Sequence, residues 1–214
     1  MPLSIERLTP NSLLQLQYCS TIHQARGKQP ATMASTPEPI SVLFVCLGNI
    51  CRSTMAEGIF KSMVSKPPYQ GLISVVDSCG TGAYHTGSSP DSRTMSTLED
   101  NGITDYDHAA RKVSGTTSGL GLVLISAQVH ASDFQMFDFI FAMDRDNLRD
   151  LQRIHQRAGG KATVKLFGEY SEKKRAEEVD DPYYGGRDGF EEAYQQLTRF
   201  TRNFLKDTFP DVEA

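Results

Sequence analysis

The stretch ISVLFVCLGNICRSTMAEGIF, residues 40–60, constrains the fold more than any other part of the chain. Ile40 to Cys46 form a short, continuous apolar run rich in β-branched residues, the mark of a strand covered on both faces. Directly beyond it Met55, Ile59, Phe60 and Met63 recur at helical spacing, with Thr54 and Glu57 placed for a capping box. A strand buried on both sides that passes straight into a helix implies a parallel sheet with helices on both faces.

The same alternation continues. LISVVDS (72–78) reads as a second buried strand, and Pro90 and Asp91 open a helix that runs to Gly102. FDFIFAMD (137–144) is a third strand, followed by a helix with Leu148, Leu151 and Ile154 inward and Gly159-Gly160 as its stop. ATVKLF (162–167) is the fourth, and a closing helix carries Phe190, Tyr194, Leu197, Phe200 and Phe204 on one face. The expected fold is therefore α/β, a four-stranded parallel sheet with helices on both faces. Ligands in such sheets bind beyond the carboxyl ends of the strands, where CLGNICRS lies.

Two regions stand outside this pattern. Residues 1–38 mix Pro, Ser, Thr and Gln without a sustained period and read as a flexible N-terminal extension, leaving 39–214 as the domain. Arg7, Arg26 and Lys28 give the extension a faint likeness to a mitochondrial transit peptide, and Met33 offers an alternative start. A cytoplasmic location is the main expectation, with a mitochondrial one as its alternative. The segment SGTTSGLGLVLISAQVH, 114–130, is longer than most connections in a compact domain, and reads as an extra hairpin, a loop or residues the fold does not need.

Composition narrows the function classes. A net charge of -4 without a basic patch argues against a nucleic-acid binder. No apolar stretch approaches the roughly 18 residues of a membrane span. No secretory core precedes the four cysteines, Cys19, Cys46, Cys51 and Cys79, so a reducing compartment is expected and structural disulfides are not. No C-x-x-C or neighbouring His-x-x-His spacing completes a tetrahedral site, so zinc is not expected.

The loop CLGNICRS suits an anion. Unpaired N–H groups and the positive end of a helix dipole meet at such a strand-to-helix turn. Gly48 permits backbone conformations closed to other residues, and Arg52 adds a planar fork matched to two phosphate oxygens. The same field favours the thiolate of Cys46, and a thiolate facing a phosphate is a nucleophile for phosphoryl transfer. A packing reading also exists, with Cys46 as a buried strand-end residue and Arg52 as a solvated charge. The preceding strand, the following helix, Gly48 and Ser53 together favour chemistry. Phosphoryl transfer from an ester also needs a proton donor, which VDDPYYGG (179–186) could supply. By itself that segment also fits an ordinary turn, although Tyr183 and Tyr184 could wall a cleft for an aromatic ring.

Taken together and in order, VLFVCLGNICRSTMAEGIF, DSCGTG, FDFIFAMDRDNLRDL and DDPYYGG resemble a low-molecular-weight protein tyrosine phosphatase over about residues 39–208. The resemblance implies that Cys46 is the nucleophile, Arg52 the phosphate clamp and Asp181 the general acid and then base, with Asp144 beside it. Leu47, Gly48, Asn49, Ile50, Cys51 and Ser53 would complete the phosphate-binding loop. Ser53 would stabilise the thiolate, Asn49 would shape the loop, and Ser78 and His108 would support it. Cys51 would form a reversible disulfide with Cys46. Tyr84, Tyr183 and Tyr184 would wall the cleft, deep enough for phosphotyrosine and too deep for phosphoserine. The resemblance implies no cofactor and no metal, and substrates among phosphotyrosine proteins and small aryl phosphates. It makes residues 114–130 an insertion.

Competing readings leave different marks. An arsenate reductase of this type needs further cysteines after the second helix, and residues 80–214 have none. Arginine phosphatases that look similar carry threonine where this loop has Ile50. A silent phosphotyrosine-binding module would lack the nucleophile or the acid. A Cys-His hydrolase needs a histidine near the loop, which the sequence does not indicate. His85 and His155 read as solvated.

Overall fold

The computed structural model describes residues 38–82, 85–108 and 129–212. The extension over 1–38, save its last residue, lies outside the described residues, as do Tyr84 and most of 114–130. The described chain forms a parallel sheet in the order β2-β1-β3-β4, with β1 at Ile40–Cys46, β2 at Ile73–Gly80, β3 at Phe139–Ala142 and β4 at Thr163–Leu166. The helices are α1 (Arg52–Val64), α2 (Ser92–Asp100), a single turn α3 (Asp133–Met136), α4 (Arg145–Ala158) and α5 (Arg187–Thr208). Short 3₁₀ turns occupy Phe167–Ser171 and Pro182–Tyr184.

The apolar run of β1 is buried because β1 has neighbours at both edges and layers on both faces. Val42, Leu43, Phe44 and Val45 are all 0% exposed, which decides that both faces are covered. Val42, Phe44 and Cys46 join the cluster with Met55, Ile59, Phe60, Phe200 and Phe204 from α1 and α5. Leu43 and Val45 join Phe134, Ile140 and Leu151 on the α4 side. This is the two-residue period of a strand, and it assigns Cys46 to the α1 face. Rings of Phe44, Phe141, Phe167 and Phe204 interlock there, with Phe141 and Phe167 centroids 4.9 Å apart. Each such side chain contributes on the order of 2 kcal/mol through burial.

Two local expectations change. Helix α1 starts at Arg52, with Cys51 at its N-cap, so Thr54 and Glu57 are not a capping box. Thr54 Oγ1 donates instead to the Cys51 carbonyl, and Glu57 is drawn into a buried network described below. Asp91 does cap α2, accepting from the Arg93 amide at 2.8 Å. At the far side of 114–130, Val129 is buried in the α4-side core and its amide donates to the Gly80 carbonyl at 2.9 Å. No helix among the described residues is long and apolar enough to cross a membrane.

β2 and β3 both flank β1, so the strand order turns back at β1 and opens a crevice beyond its carboxyl end. The segments leaving β1, β3 and β4 meet there. Val179 extends that meeting, donating from its amide to the Met143 carbonyl at 2.9 Å, which carries Asp181 towards Cys46 and Arg52.

Candidate active site

The loop from Cys46 to Arg52 is held from outside by its carbonyls. Those of Cys46 and Leu47 accept from the amides of Thr81 and Gly82 at 2.8 and 2.9 Å, that of Ile50 from Asp91 at 2.8 Å, and that of Cys51 from Met55 at 2.9 Å. In a trans peptide the following N–H points the opposite way. The amides of Leu47, Gly48, Cys51 and Arg52 therefore turn from these outer partners towards the interior of the loop. The result is a nest suited to an anion.

Cys46 lies at its floor, 3% exposed, and lines the cleft above the loop. Its Sγ is 3.1 Å from Ser53 Oγ and accepts from the Asn49 amide at 3.3 Å. Asn49, not Gly48, is the residue in the left-handed region, with φ of 55°. Its Nδ2 donates to Ser53 Oγ and to Ser78 Oγ, each at 2.9 Å, and its Oδ1 lies 3.2 Å from His108 Nε2. Gly48 serves a different need: a Cβ there would meet His85 Cδ2 at 3.0 Å.

Beneath this layer lies Glu57. Its Oε2 accepts from Ser78 Oγ at 2.6 Å and from Tyr106 Oη at 3.0 Å, and lies 2.9 Å from His108 Nδ1, while Lys61 pairs with Oε1. Burial pushes this carboxyl up, but His108 and Lys61 outweigh it and hold Glu57 at about 2. Burial next to Glu57 pushes the Tyr106 phenol well above its usual range. Glu57, Asp77 and His108 bring potential metal-ligand atoms within 4.8 Å of one another. The Glu57 oxygens are nevertheless committed to Ser78, Tyr106, His108 and Lys61.

Arg52 is 4% exposed and joins the two acidic segments. One terminal nitrogen donates to Asp144 Oδ2 at 2.6 Å and to the Val179 carbonyl at 3.1 Å, and the other to Asp181 Oδ2 at 2.9 Å. Burial opposes its charge, but Cys46, Asp181 and Asp144 outweigh it and push its pKa up. Cys51 is buried and is pushed up to about 12 by desolvation, then by Asp91, Cys46 and Asp181, so it stays a thiol. Cys46 and Cys51 are both free.

Above the loop is a cleft of about 380 Å³ lined by Cys46, Leu47, Gly48, Ile50, Cys51, Arg52, His85, Asp181, Tyr183 and Tyr184. A larger groove of about 530 Å³ between β4 and the end of α5 has Lys165, Glu169, Lys206 and Asp207 on its walls and no cysteine, histidine or arginine. Chemistry therefore belongs to the smaller cleft. Asp181 holds its own turn by accepting from the Tyr183 amide at 3.1 Å. The Tyr183 and Tyr184 rings meet edge-on, centroids 5.1 Å apart.

The sequence-predicted residues thus gather at one site, except Tyr84, which is not among the described residues. Ser78, His108 and Asp144 sit behind Asn49 and Arg52 rather than on the cleft wall. Two histidines read as solvated have partners: His85 lines the cleft near the Tyr183 ring, and His155 stacks on Phe134 at 4.9 Å. Sequence reasoning also missed Glu57 and Tyr106. Glu57 carries a signal, an acidic residue on the core face of α1, but the same residue type also fits a cap.

Comparison with known proteins gives a consistent picture. The family model for low molecular weight phosphotyrosine protein phosphatase matches residues 41–125 and 116–213. A protein of that name from Schizosaccharomyces pombe is 49% identical over 167 residues, covering 78% of this chain and 96% of the relative. The Homo sapiens protein of that name is 40% identical, covering 78% and 94%. Among solved structures, a protein tyrosine phosphatase from Entamoeba histolytica matches with a TM-score of 0.63 at 32% identity, covering 81% of this chain and 99% of that one. A Drosophila arginine phosphatase matches with a TM-score of 0.66 at 33% identity, covering 78% and 96%.

Proposed function

The chain belongs to the low molecular weight phosphotyrosine protein phosphatase family, and from that premise we propose that it hydrolyses phosphotyrosine and aryl phosphate monoesters through a cysteinyl-phosphate on Cys46. The carrying observation is the position of Cys46 Sγ at the floor of an amide-lined loop, with Arg52 and Asp181 in the same cleft. The phosphoryl group enters the nest and takes up Arg52, displacing Asp181 from that pair. The sulfur attacks phosphorus, and an S–P bond forms as the bond from phosphorus to the phenolic oxygen breaks. Protonated Asp181 gives its proton to that oxygen, so the phenol leaves neutral. Water then attacks phosphorus, Asp181 takes its proton, the S–P bond breaks, and phosphate departs.

Ser53 and the Asn49 amide hold negative charge on Cys46 before attack and after release. Asp144 aligns the Arg52 fork. Tyr183, Tyr184 and Ile50 offer apolar walls to an aryl ring, and the Ile50 side chain favours an aryl ester over a phosphorylated guanidinium. Cys51, kept as a thiol, is a reserve partner for an oxidised Cys46 rather than a second nucleophile. A Cys-His hydrolase fits less well, because among the described residues the sulfur's hydrogen-bond partners are Ser53 and Asn49 rather than an imidazole.

The test is turnover of p-nitrophenyl phosphate and a phosphotyrosine peptide by the wild type and Cys46→Ser. The variant is expected to be inactive, and the wild type to work in the presence of a chelator. Surviving activity in the variant would sink the mechanism. Asp181→Ala is expected to slow phenyl phosphate by about 10²-fold or more; an unchanged rate would remove Asp181 from the acid role.

A further inference from the structure

Arg93 stands outside the phosphate loop, near the start of α2, yet its side chain joins three parts of the cleft. Its Nε and one terminal nitrogen donate to the two oxygens of Asp91 at 3.0 and 2.8 Å, a bidentate pair. The other terminal nitrogen donates to the Tyr183 carbonyl at 3.2 Å. The guanidinium carbon lies 5.5 Å from the centre of the Tyr183 ring and 4.6 Å from that of Phe190, within cation–π range of both. Asp91 is itself fixed, capping α2 and donating from its amide to the Ile50 carbonyl at 2.8 Å. Arg93 thereby ties the segment Asp181–Tyr184 to α2, to the phosphate loop and to the first turn of α5.

This tether has a distinct place in the reaction. Among the described residues Arg52 also reaches this part of the chain, through the Val179 carbonyl just before it and through Asp181, and the incoming phosphoryl group must break the pair with Asp181. The Arg93 link to Tyr183 does not involve the phosphate site and survives that exchange. We infer that Arg93 is a positioning residue for the general acid: it fixes the Tyr183 backbone so that Asp181, two residues earlier, stays over the leaving oxygen while Arg52 is engaged by phosphate. The inference rests on the phosphatase reading above. A surface ion pair with Asp91 alone would influence stability and leave proton transfer untouched.

Leaving groups separate the two roles. 2,4-Dinitrophenolate departs without a proton, whereas phenolate needs one. Arg93→Gln is expected to lower kcat/KM for phenyl phosphate roughly tenfold or more while changing that for 2,4-dinitrophenyl phosphate less than about twofold. Arg93→Lys, which keeps the charge but not the fork, is expected to fall between. In an Asp181→Ala background Arg93→Gln should add nothing on phenyl phosphate, because the two then share one function. Equal losses on both esters, or a full Arg93 effect without Asp181, would overturn the inference. If Asp181→Ala itself shows no dependence on leaving group, the acid assignment fails first. If it does and Arg93→Gln does not, only the tether is wrong.

Discussion

At the scale of single residues, Asn49 joins backbone strain to chemistry. Its φ of 55° is a conformation that costs most side chains about 1 kcal/mol or more. Its side chain offsets that by binding Ser53 and Ser78 and meeting His108, and its amide reaches the Cys46 sulfur. Asn49→Ala keeps the amide but loses the three partners and retains the strain. It is expected to lose roughly 2 kcal/mol or more in urea denaturation and about tenfold or more in kcat/KM. Asn49→Gly relieves the backbone and should recover part of the stability while recovering little activity. If glycine restored both, the side-chain bonds would be irrelevant and the loop would be shaped by φ alone. The sequence marks this position only weakly, since Gly48 beside it looks like the flexible residue. The left-handed turn falls on Asn49 because its amide side chain finds three fixed partners, and two of them, Ser78 and His108, come from distant segments.

At the scale of elements, α1 does more than its amphipathic pattern suggests. Glu57 enters the core on its inner face and binds groups from β2 and from the chain after α2, so the helix anchors the loop from below. The pH consequence follows from its held value of about 2 against an ordinary 4.5. A carboxyl depressed on folding stabilises fully above its unfolded value, and that contribution is lost as pH falls towards the folded one. The window is therefore about pH 4.5 down to 2, and the contribution is on the order of 3 kcal/mol. Wild type should lose that much more stability than Glu57→Gln on acidification from pH 5 to 2, read by denaturant unfolding at each pH. Parallel losses in the two proteins would show that Glu57 is not the titrating group. Strands and helices were legible here because burial on both faces of β1 and on one face of α5 writes a period into the chain. The fate of Glu57 was not legible, because a cap and a buried ion pair use the same residue type, and only the approach of Tyr106 and His108 decides between them. Arg93 escaped for the same reason: its partners Tyr183 and Phe190 are adjacent in space and remote in sequence.

At the scale of the whole molecule, the turn-back of strand order at β1 explains why three separate segments supply one site. Cys46 leaves β1, Asp144 follows β3, and Asp181 follows β4, and the parallel sheet sends all three to the same edge. That convergence could be read from the alternation of strands and helices, since parallel strands leave their carboxyl ends together. The status of residues 114–130 could not, because that segment carries no periodic mark. The structure adds a boundary: Val129 is buried and bonded to Gly80, while His130 donates from its amide to Asp133 Oδ2 at 2.7 Å. A deletion that respects this packing therefore removes 114–128 and keeps Val129 and His130. Loop closure entropy changes slowly with length, so shortening the connection alters stability by less than about 1 kcal/mol. The shortened protein should keep kcat/KM for p-nitrophenyl phosphate within about threefold, whereas extending the deletion through Val129 and His130 should lower stability by about 1 to 2 kcal/mol through the lost valine burial. A collapse of activity in the shorter deletion, with the thermal midpoint unchanged, would mean that 114–128 contributes directly to the cleft and is not dispensable to catalysis.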